Sequence, residues 1–456
     1  MPTRKRDVLD EKVAAYAANP RAALWTLAFP ITAGMFVQII YNLTDTAFIG
    51  RLGVDALAAA SFSFPLFFLF IAFSNMISNG AIPLIARAIG ARRKEEAELI
   101  AGHAFTLSLL LGALFMAVGL FFGETLFRLM GATEPVVKLG VQYMLPLFLS
   151  SVFFFLSSAF SAILIAQGET KLPVAVRIVS VLLNLVMDYL FIFVFRWGIL
   201  GASIATALSI IFEVVAFTHL IFLRGRTHLK FRARRPDATS TWSILKIGIP
   251  SSLAHVLMSV SGIIYNAFFA AFGTGVVAAY GLVGRVDSIA FMPVLGLTVA
   301  MVTLISMFYG AKHYHLLKTV ISDGLLFSFL YLIPFCIIVY AFPHLFIRLM
   351  TDDASVLALA IPLMRLEVFT LPLAILGFIL SRALQGVGDG VAQLVIVSVR
   401  LIVIAVPLAF LFTRVLGYGA GSIIVAMLLS GIVSAAMAVV WTRWRLKKVK
   451  AECLNC

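Results

Sequence analysis

Charge is scarce in this sequence. Only 12% of its 456 residues are Asp, Glu, Lys or Arg, while 62% are hydrophobic and mean hydropathy is +1.06. Ordinary soluble chains carry about 25% charged and about 45–50% apolar residues. The length would accommodate two or three soluble domains, but this supply of polar residues cannot cover their surfaces. Cysteine is scarce as well, with three in the chain. Cys336 falls in an apolar run, where a small packed residue is the expectation. Cys453 and Cys456 form a lone CxxC with no second pair or histidine nearby, too little for a metal or redox site. Also lacking are a GxxxxGK[ST] phosphate loop, a Ser-His-Asp set and a metal cluster, which excludes nucleotide-driven and enzymatic classes. Residues 1–21 are charged and Ala-rich, with no short apolar stretch and cleavage site ahead of the first long apolar run, so no cleavable signal is expected.

What is abundant is long apolar runs. They recur near 24–48, 56–86, 98–122, 136–166, 174–195, 199–223, 243–270, 276–308, 319–342, 354–384, 394–413 and 418–441. Each is long enough to cross a bilayer core as a helix. A β-barrel would show short alternating segments instead. Helices satisfy their own backbone polar groups in lipid, so the expected fold class is an all-α polytopic membrane protein of twelve transmembrane helices.

The net charge of +14 invites a nucleic-acid reading, but its placement argues against one. Twenty-two Lys and Arg flank the runs on one side, six of them between Arg224 and Arg235, against six on the other side. By the positive-inside rule this puts both termini in the cytoplasm. The basic excess reads as topology, and no nucleic-acid partner is expected.

An offset of about 220 residues aligns the two halves. Pro30 falls on Pro250, GVDALAAA from Gly53 on GTGVVAAY from Gly273, Gly90-Ala91-Arg92 on Gly310-Ala311-Lys312, and RLM at Arg128 on RLM at Arg348. With a two-residue slip, AQGET from Ala166 matches LQGVG from Leu384. Internal repeats of this kind are a transporter signature. Six spans per half is an even number, so both halves enter the membrane in the same direction, as two six-helix lobes related by a pseudo-twofold. The expected segments are 1–21 (cytoplasmic), 22–223 (first lobe), 224–241 (basic linker), 242–442 (second lobe) and 443–456 (tail). With no nucleotide motif, the energy must come from a gradient or a partner.

An ionisable side chain inside a span costs about 2.5–3.5 kcal/mol on insertion scales, so each needs a reason. Asp45 in YNLTDTAFIG and Asp188 in LLNLVMDYLFIF have no basic partner in their own helices. Asn184 shares a helix face with Asp188, four residues on, and Thr206 adds a hydroxyl at comparable depth. The four form an all-oxygen set suited to sodium as a hard cation, or to a proton shared between acids. The second half has Tyr265 where the first has Asp45. Its Arg285, Asp287, Asp323, Arg365, Glu367, Arg382 and Arg400 are expected to pair structurally, and His255 to be a satisfied core residue. Pro30, about four helical turns from Asp45, permits a bend and is the expected conformational hinge. Gln38, Tyr41 and Asn42 on the same helix are candidate cargo contacts. A cavity rich in Phe and Met would favour flat apolar or amphipathic compounds, and the acids would attract cations.

The stretch from Pro30 through YNLTDTAFIGRLGVDALAAAS, the AQGETKLP loop, the LNLVMD span, and the second-half AAFGTGVVAAYG and FYGAKH segments resemble the multidrug and toxic compound extrusion family. The likeness covers about 20–445 and is nearest the DinF-like branch. It implies a proton- or sodium-coupled exporter with its cation site in the first lobe, at Asp45, Asn184, Asp188 and Thr206. Substrate contacts are implied at Gln38, Tyr41 and Tyr143. The other main branch places an acid in the seventh span, and this sequence has none there. Ser157, Ser158 and Ser161 stand where relatives often carry Asn. The resemblance implies no cofactor beyond the coupling ion. It also implies amphipathic or cationic organic compounds and membrane lipids as partners, a monomer, and the plasma membrane as location. The competing reading is a flippase for a lipid or lipid-linked oligosaccharide.

Overall fold

A computed structural model describes residues 8–351 and 353–454. Among the described residues there is no strand. The helices of the first half are α1 (Val8–Ala18), α2 (Pro20–Gly50), α3 (Val54–Gly90), α4 (Lys94–Leu129), α5 (Glu134–Leu149), α6 (Ser151–Ala166), α7 (Lys171–Tyr189) and α8 (Gly198–Thr218). Those of the second are α9 (Ala238–Ala270), α10 (Thr274–Gly310), α11 (Tyr314–Ala341), α12 (Pro343–Arg348), α13 (Ala354–Glu367), α14 (Thr370–Gly386), α15 (Gly390–Ser398), α16 (Ala405–Phe410) and α17 (Gly421–Leu454). Short π-helical turns extend α7 through Leu190–Val194 and α8 through His219–Leu223. Ten helices are long and apolar enough to cross a membrane, and up to twelve when each of two bent pairs is one span. The chain is therefore a multi-pass membrane protein.

The bent pairs are α5 with α6 (49°) and α13 with α14 (47°), where the sequence pattern reads two unbroken runs. At the first break Ser150 donates its hydroxyl to Leu147 O (3.1 Å) and Ser151 to Gly112 O (2.7 Å). These bonds compete with the helical ladder, and serine pairs are a recognised kink site. At the second, Pro372 lacks an N–H, and its ring collides with the carbonyl four residues back, at Val368. Apolar runs carry no sign of either break. Nor does the composition of 1–21 announce α1, which Asp10 ties to Arg92 (3.8 Å) and Lys12 to Glu169 (3.8 Å).

The repeat extends to individual backbone conformations. Gly53 (φ 113°) and Gly273 (φ 110°) precede α3 and α10 in the same unusual geometry. At the far ends of those helices, Arg92 and Lys312 both adopt φ 60°. Each completes the same capping pattern: Arg93 N–H donates to Ala88 O and Arg92 N–H to Ile89 O, and His313 N–H to Phe308 O and Lys312 N–H to Tyr309 O. The two-residue slip read at AQGET is not present in the backbone. Gly168 N–H donates to Ile165 O and Glu169 N–H to Leu164 O, matched by Gly388 to Gln385 and Asp389 to Leu384. The offset there is still 220, and Gly168 corresponds to Gly388, both in the left-handed region. Sequence identity misaligns the turn because Gln-Gly recurs two residues early.

The chain divides into two compact units. One takes in the chain up to Ala14 and Phe29–Gly248, the other Ala15–Ala28 and the chain from Ile249 onward. Both divisions fall just before the residue that precedes a proline, Phe29 before Pro30 and Ile249 before Pro250, so each unit includes the first turns of a helix that continues in the other. In the second unit Arg21 reaches Asp323 at 2.8 Å, and Trp25 packs on Phe327 with ring centroids 4.7 Å apart. In the first, Phe70 is buried and surrounded by Phe67, Phe115, Phe148, Phe154 and Phe155, at centroid separations of 4.8–6.1 Å. These phenylalanines build the packed interior of the unit, with stacked, tilted and edge-on contacts.

Candidate functional site

Three helices of the first unit supply the polar residues singled out above. α7 buries one stripe, Val176, Ser180, Asn184 and Asp188, at helical spacing. Asp188 and Asn184 are 1% and 2% exposed. α8 brings Thr206, whose hydroxyl donates to Ala202 O at 3.1 Å. α2 brings Tyr41, its hydroxyl 3.4 Å from Thr206 Oγ1. The hydrogen-bond network orients the Asn184 amide with its nitrogen donating to Asp188 Oδ2 at 2.9 Å and its oxygen accepting from Thr206 N–H at 3.1 Å. Asn184 therefore connects α7 to α8 and fixes one oxygen of Asp188.

The other oxygen of Asp188 is free. Asp188 Oδ1 and Asp45 Oδ1 are both buried and have no hydrogen-bond partner. Asp45 and Asp188 lie within electrostatic reach of each other, and both act on Tyr41 and on Tyr143. Asp45, Asn184, Asp188, Thr206, Tyr41 and Tyr143 thus form one group. Gln38 and Asn42 stand apart from it on α2, Gln38 Nε2 donating to Asn42 Oδ1 at 3.1 Å, with Asn42 exposed. Pro30 lies within α2, which runs through it as one helix. Cys456 lies outside the described residues. Among the described residues no group of three or more His, Cys, Asp or Glu is placed to hold a metal ion. The donor set at Asp45 and Asp188 is instead carboxylate, amide and hydroxyl oxygen, with two oxygens uncommitted. Chemically it can accept a proton or a hard monovalent cation, and it offers nothing for acyl, phosphoryl or hydride transfer.

One part of this polar region is not among the residues singled out from sequence. Arg177 on α7 pairs with Glu213 on α8 through Nη1 to Oε1 (2.9 Å) and Oε2 (3.2 Å), and Ser157 of α6 donates to Glu213 Oε2. The Glu213 side chain is 4% exposed and that of Arg177 49%. The signal was in the spacing: Arg177 is seven residues before Asn184 and eleven before Asp188, and Glu213 is seven after Thr206. Ser180 and Ser209 fill the gap, Ser180 donating to Ser209 O at 2.9 Å. A polar seam therefore runs along α7 and α8, from the free carboxylate oxygen of Asp188 to the Arg177–Glu213 pair.

The second unit does not repeat the group. Tyr265, the counterpart of Asp45, is buried and donates to Leu401 O at 2.6 Å. Arg365 and Glu367 go to different partners: Arg365 Nε to Tyr340 O (3.4 Å), while Thr370 donates to Glu367. Asp323 is taken by Arg21. His255 Nδ1 meets Ser251 O at 2.8 Å, in keeping with a satisfied core histidine.

An all-helical membrane protein built as a repeat, with unpartnered carboxylate oxygens buried in its spans, has the build of a transporter. The MatE family model matches residues 30–190 and again 250–411, two segments starting 220 residues apart. The chain belongs to this family. It is 30% identical to the probable multidrug resistance protein YoeA of Bacillus subtilis over 396 residues, covering 84% of this chain and 85% of that one. It is 26% identical to the probable multidrug resistance protein NorM of Thermotoga maritima over 400 residues, 86% of each. A solved structure described as the outward-facing conformation of a multidrug resistance MATE family transporter superposes with a TM-score of 0.90 at 27% identity, covering 99% of this chain and 100% of that one. A MOP superfamily transporter from Pyrococcus furiosus, described as having a binding pocket of reverse polarity, gives 0.88 at 28% identity, with 94% and 97% covered.

Proposed function

We propose that this chain is a cation-coupled antiporter of the plasma membrane, with both termini cytoplasmic, which acts as a monomer. It would export amphipathic, often cationic, organic compounds by alternating access. The observation that carries the reading is the pair of buried, unpartnered carboxylate oxygens on Asp45 and Asp188. Leaving an ionised carboxylate in a membrane span without a partner is expensive, so these oxygens are built to take up a proton or a sodium ion. Asn184 holds Asp188 Oδ2 and leaves Oδ1 for the cation, and Thr206 and Tyr41 close the group from α8 and α2. Occupancy by one cation leaves a single negative charge shared between α2 and α7, and vacancy leaves two like charges facing one another. That difference is what an exporter needs to couple ion entry to a change in α2, with Pro30 as the bend. The relatives named for multidrug resistance and export support the substrate class.

The test is efflux of a cationic dye from proteoliposomes carrying wild type, Asp45→Asn or Asp188→Asn, under imposed proton or sodium gradients. Wild type is expected to move dye against its gradient, and either substitution to lower the rate by about tenfold or more, the equivalent of about 1.4 kcal/mol of lost coupling. The gradient that drives it names the ion. Normal pumping by both variants would overturn the site. No dye movement under either gradient would overturn the substrate class in favour of a lipid flippase.

A further inference from the structure

The segment joining the halves is not a slack tether. Between α8 and α9 it runs, without regular secondary structure, against the first unit, held at five points. The Gln167 side chain accepts from His228 N–H (3.0 Å) and exchanges bonds with the Thr227 hydroxyl. Glu98 accepts the Lys230 N–H (2.9 Å), and Thr106 Oγ1 accepts from Arg234 N–H (2.9 Å). His103 Nε2 receives the Asp237 N–H (3.2 Å). Leu229 and Phe231 are buried, Phe231 against Phe105, Phe160 and Phe222. Gly102 makes the close approach possible, since a Cβ there would stand 2.9 Å from Arg232 O.

With Leu229 and Phe231 turned into the unit, the basic side chains around and beyond them are left outside. Those are Lys230, Arg232 and Arg234, all exposed, followed by Arg235. Three of these cations border an open recess of about 560 Å³ between strap and α4, lined by Leu99, His103, Arg232, Ala233, Arg234, Arg235 and Asp237. Its one carboxylate is already committed: Asp237 Oδ2 accepts the Ser240 N–H at 2.8 Å, capping α9, and this bond holds its pKa below the ordinary value. Among the described residues none of the three arginines forms an ion pair. The recess is therefore cationic, with three guanidinium groups against one carboxylate, and has apolar lining at Leu99 and Ala233.

Its depth argues for what fills it. In sequence the strap is flanked by exposed apolar side chains at the ends of two spans, Phe222 and Leu223 before it and Trp242 after it. Exposed tryptophan at a span end marks the headgroup level of a bilayer, where basic recesses beside membrane helices take anionic headgroups. We propose that the strap and α4 form a binding site for an anionic phospholipid. Its phosphate would be held by Arg232, Arg234 and Arg235, with its chains continuing along the apolar ends of α8 and α9. The proposal does not depend on the cargo or the coupling ion. Bound lipid would fix the strap that joins the halves, so lipid charge would set how freely that connection moves.

The test uses the full-length protein, stripped of lipid in detergent, then mixed with phosphatidylglycerol, phosphatidylcholine or glycerol phosphate. Native mass spectrometry reads retained lipid, and thermal unfolding reads stabilisation. Wild type is expected to retain and be stabilised by phosphatidylglycerol only. Each single variant, Arg232→Gln, Arg234→Gln or Arg235→Gln, should weaken that binding about fivefold, and the triple variant roughly a hundredfold. A control, Lys447→Gln with Lys448→Gln in the C-terminal segment, should bind as wild type. The single variants, checked for monodispersity, stand in if the triple fails to fold. Undiminished retention by the folded single variants would sink the proposal. So would equal loss in the control, which would indicate diffuse charge, or displacement of the lipid by glycerol phosphate, which would indicate a soluble anion.

Discussion

Arg177 shows what a single side chain does in this region. Its guanidinium is half exposed, yet it is the only cation bonded to the buried Glu213 carboxylate among the described residues. Removing one partner of a buried pair leaves the other charge stranded, typically at about 3–5 kcal/mol. Half of the Arg177 side chain lies outside the protein interior, which reduces that figure, so Arg177→Ala should cost about 2 kcal/mol in thermal unfolding. Combining Arg177→Met with Glu213→Gln should restore most of the loss, because Ser157 still has a carbonyl oxygen to donate to and no charge remains. If the double variant is as unstable as the single, the pair is not what holds α7 to α8. At this scale the sequence was legible for Asp45, Asn184, Asp188 and Thr206, since acids in apolar runs stand out. Arg177 and Glu213 escaped because Arg177, close after Lys171, looks like ordinary flanking charge, and Glu213, although well inside its span, shows its purpose only once its partner on the neighbouring helix is known.

Helix ends and crossings set the next scale. Asp353 precedes α13 and accepts the Ser355 hydroxyl (2.6 Å) and N–H (2.8 Å) and the Val356 N–H (3.4 Å). The Ser355 bonds stabilise the ionised form and hold the Asp353 pKa below its ordinary value of 3.8. A group depressed in this way contributes stability above its unfolded pKa and loses it as pH falls through the folded one. Amide protection in the first turn of α13, measured as exchange relative to the intrinsic rate at each pH, should therefore be high at neutral pH and fall in acid below about pH 4. Asp353→Ala should lose that protection at every pH, and a wild-type protection that does not change with pH would refute the cap. Glycine governs a crossing within the first unit. A Cβ at Gly80 would lie 2.2 Å from Ile244 O, and one at Gly248 1.9 Å from Met76 O. Both targets are backbone, which cannot swing aside, so Gly80→Ala or Gly248→Ala should destabilise by at least the 1–3 kcal/mol typical of about one added methyl in a packed interior. Thermal stability equal to wild type would mean that α3 and α9 separate freely. Hydropathy located every span but could not see these features. It is blind to Ser150 and Pro372, which break α5–α6 and α13–α14, and to close approach between backbones.

The repeat dominates the molecule, and the proposed coupling group lies where the two halves depart from it. Capping turns at Arg92 and Lys312 and left-handed glycines at Gly168 and Gly388 coincide at an offset of 220, so the two halves share a backbone plan that was readable from Pro30, Gly53 and their partners. Side chains then diverge. Where the first unit puts Asp45, the second puts Tyr265, whose hydroxyl is spent on Leu401 O. Glu367 is the acid that could rescue symmetry, being 4% exposed with Oε2 unpartnered. Its other oxygen, however, accepts from Thr370 within the bend between α13 and α14. The bend removes ladder bonds that the Thr370 hydroxyl and Glu367 together replace, which is a structural task that a neutral amide can perform. Glu367→Gln should therefore keep the ion dependence and stoichiometry of transport, with at most a small change in rate, while Asp188→Asn removes the dependence altogether. Measuring reversal potentials in proteoliposomes at graded proton and sodium gradients separates the two: an unchanged potential for Glu367→Gln confines coupling to the first unit. A shifted potential would place a second ion site at the bend and make both units carriers of charge.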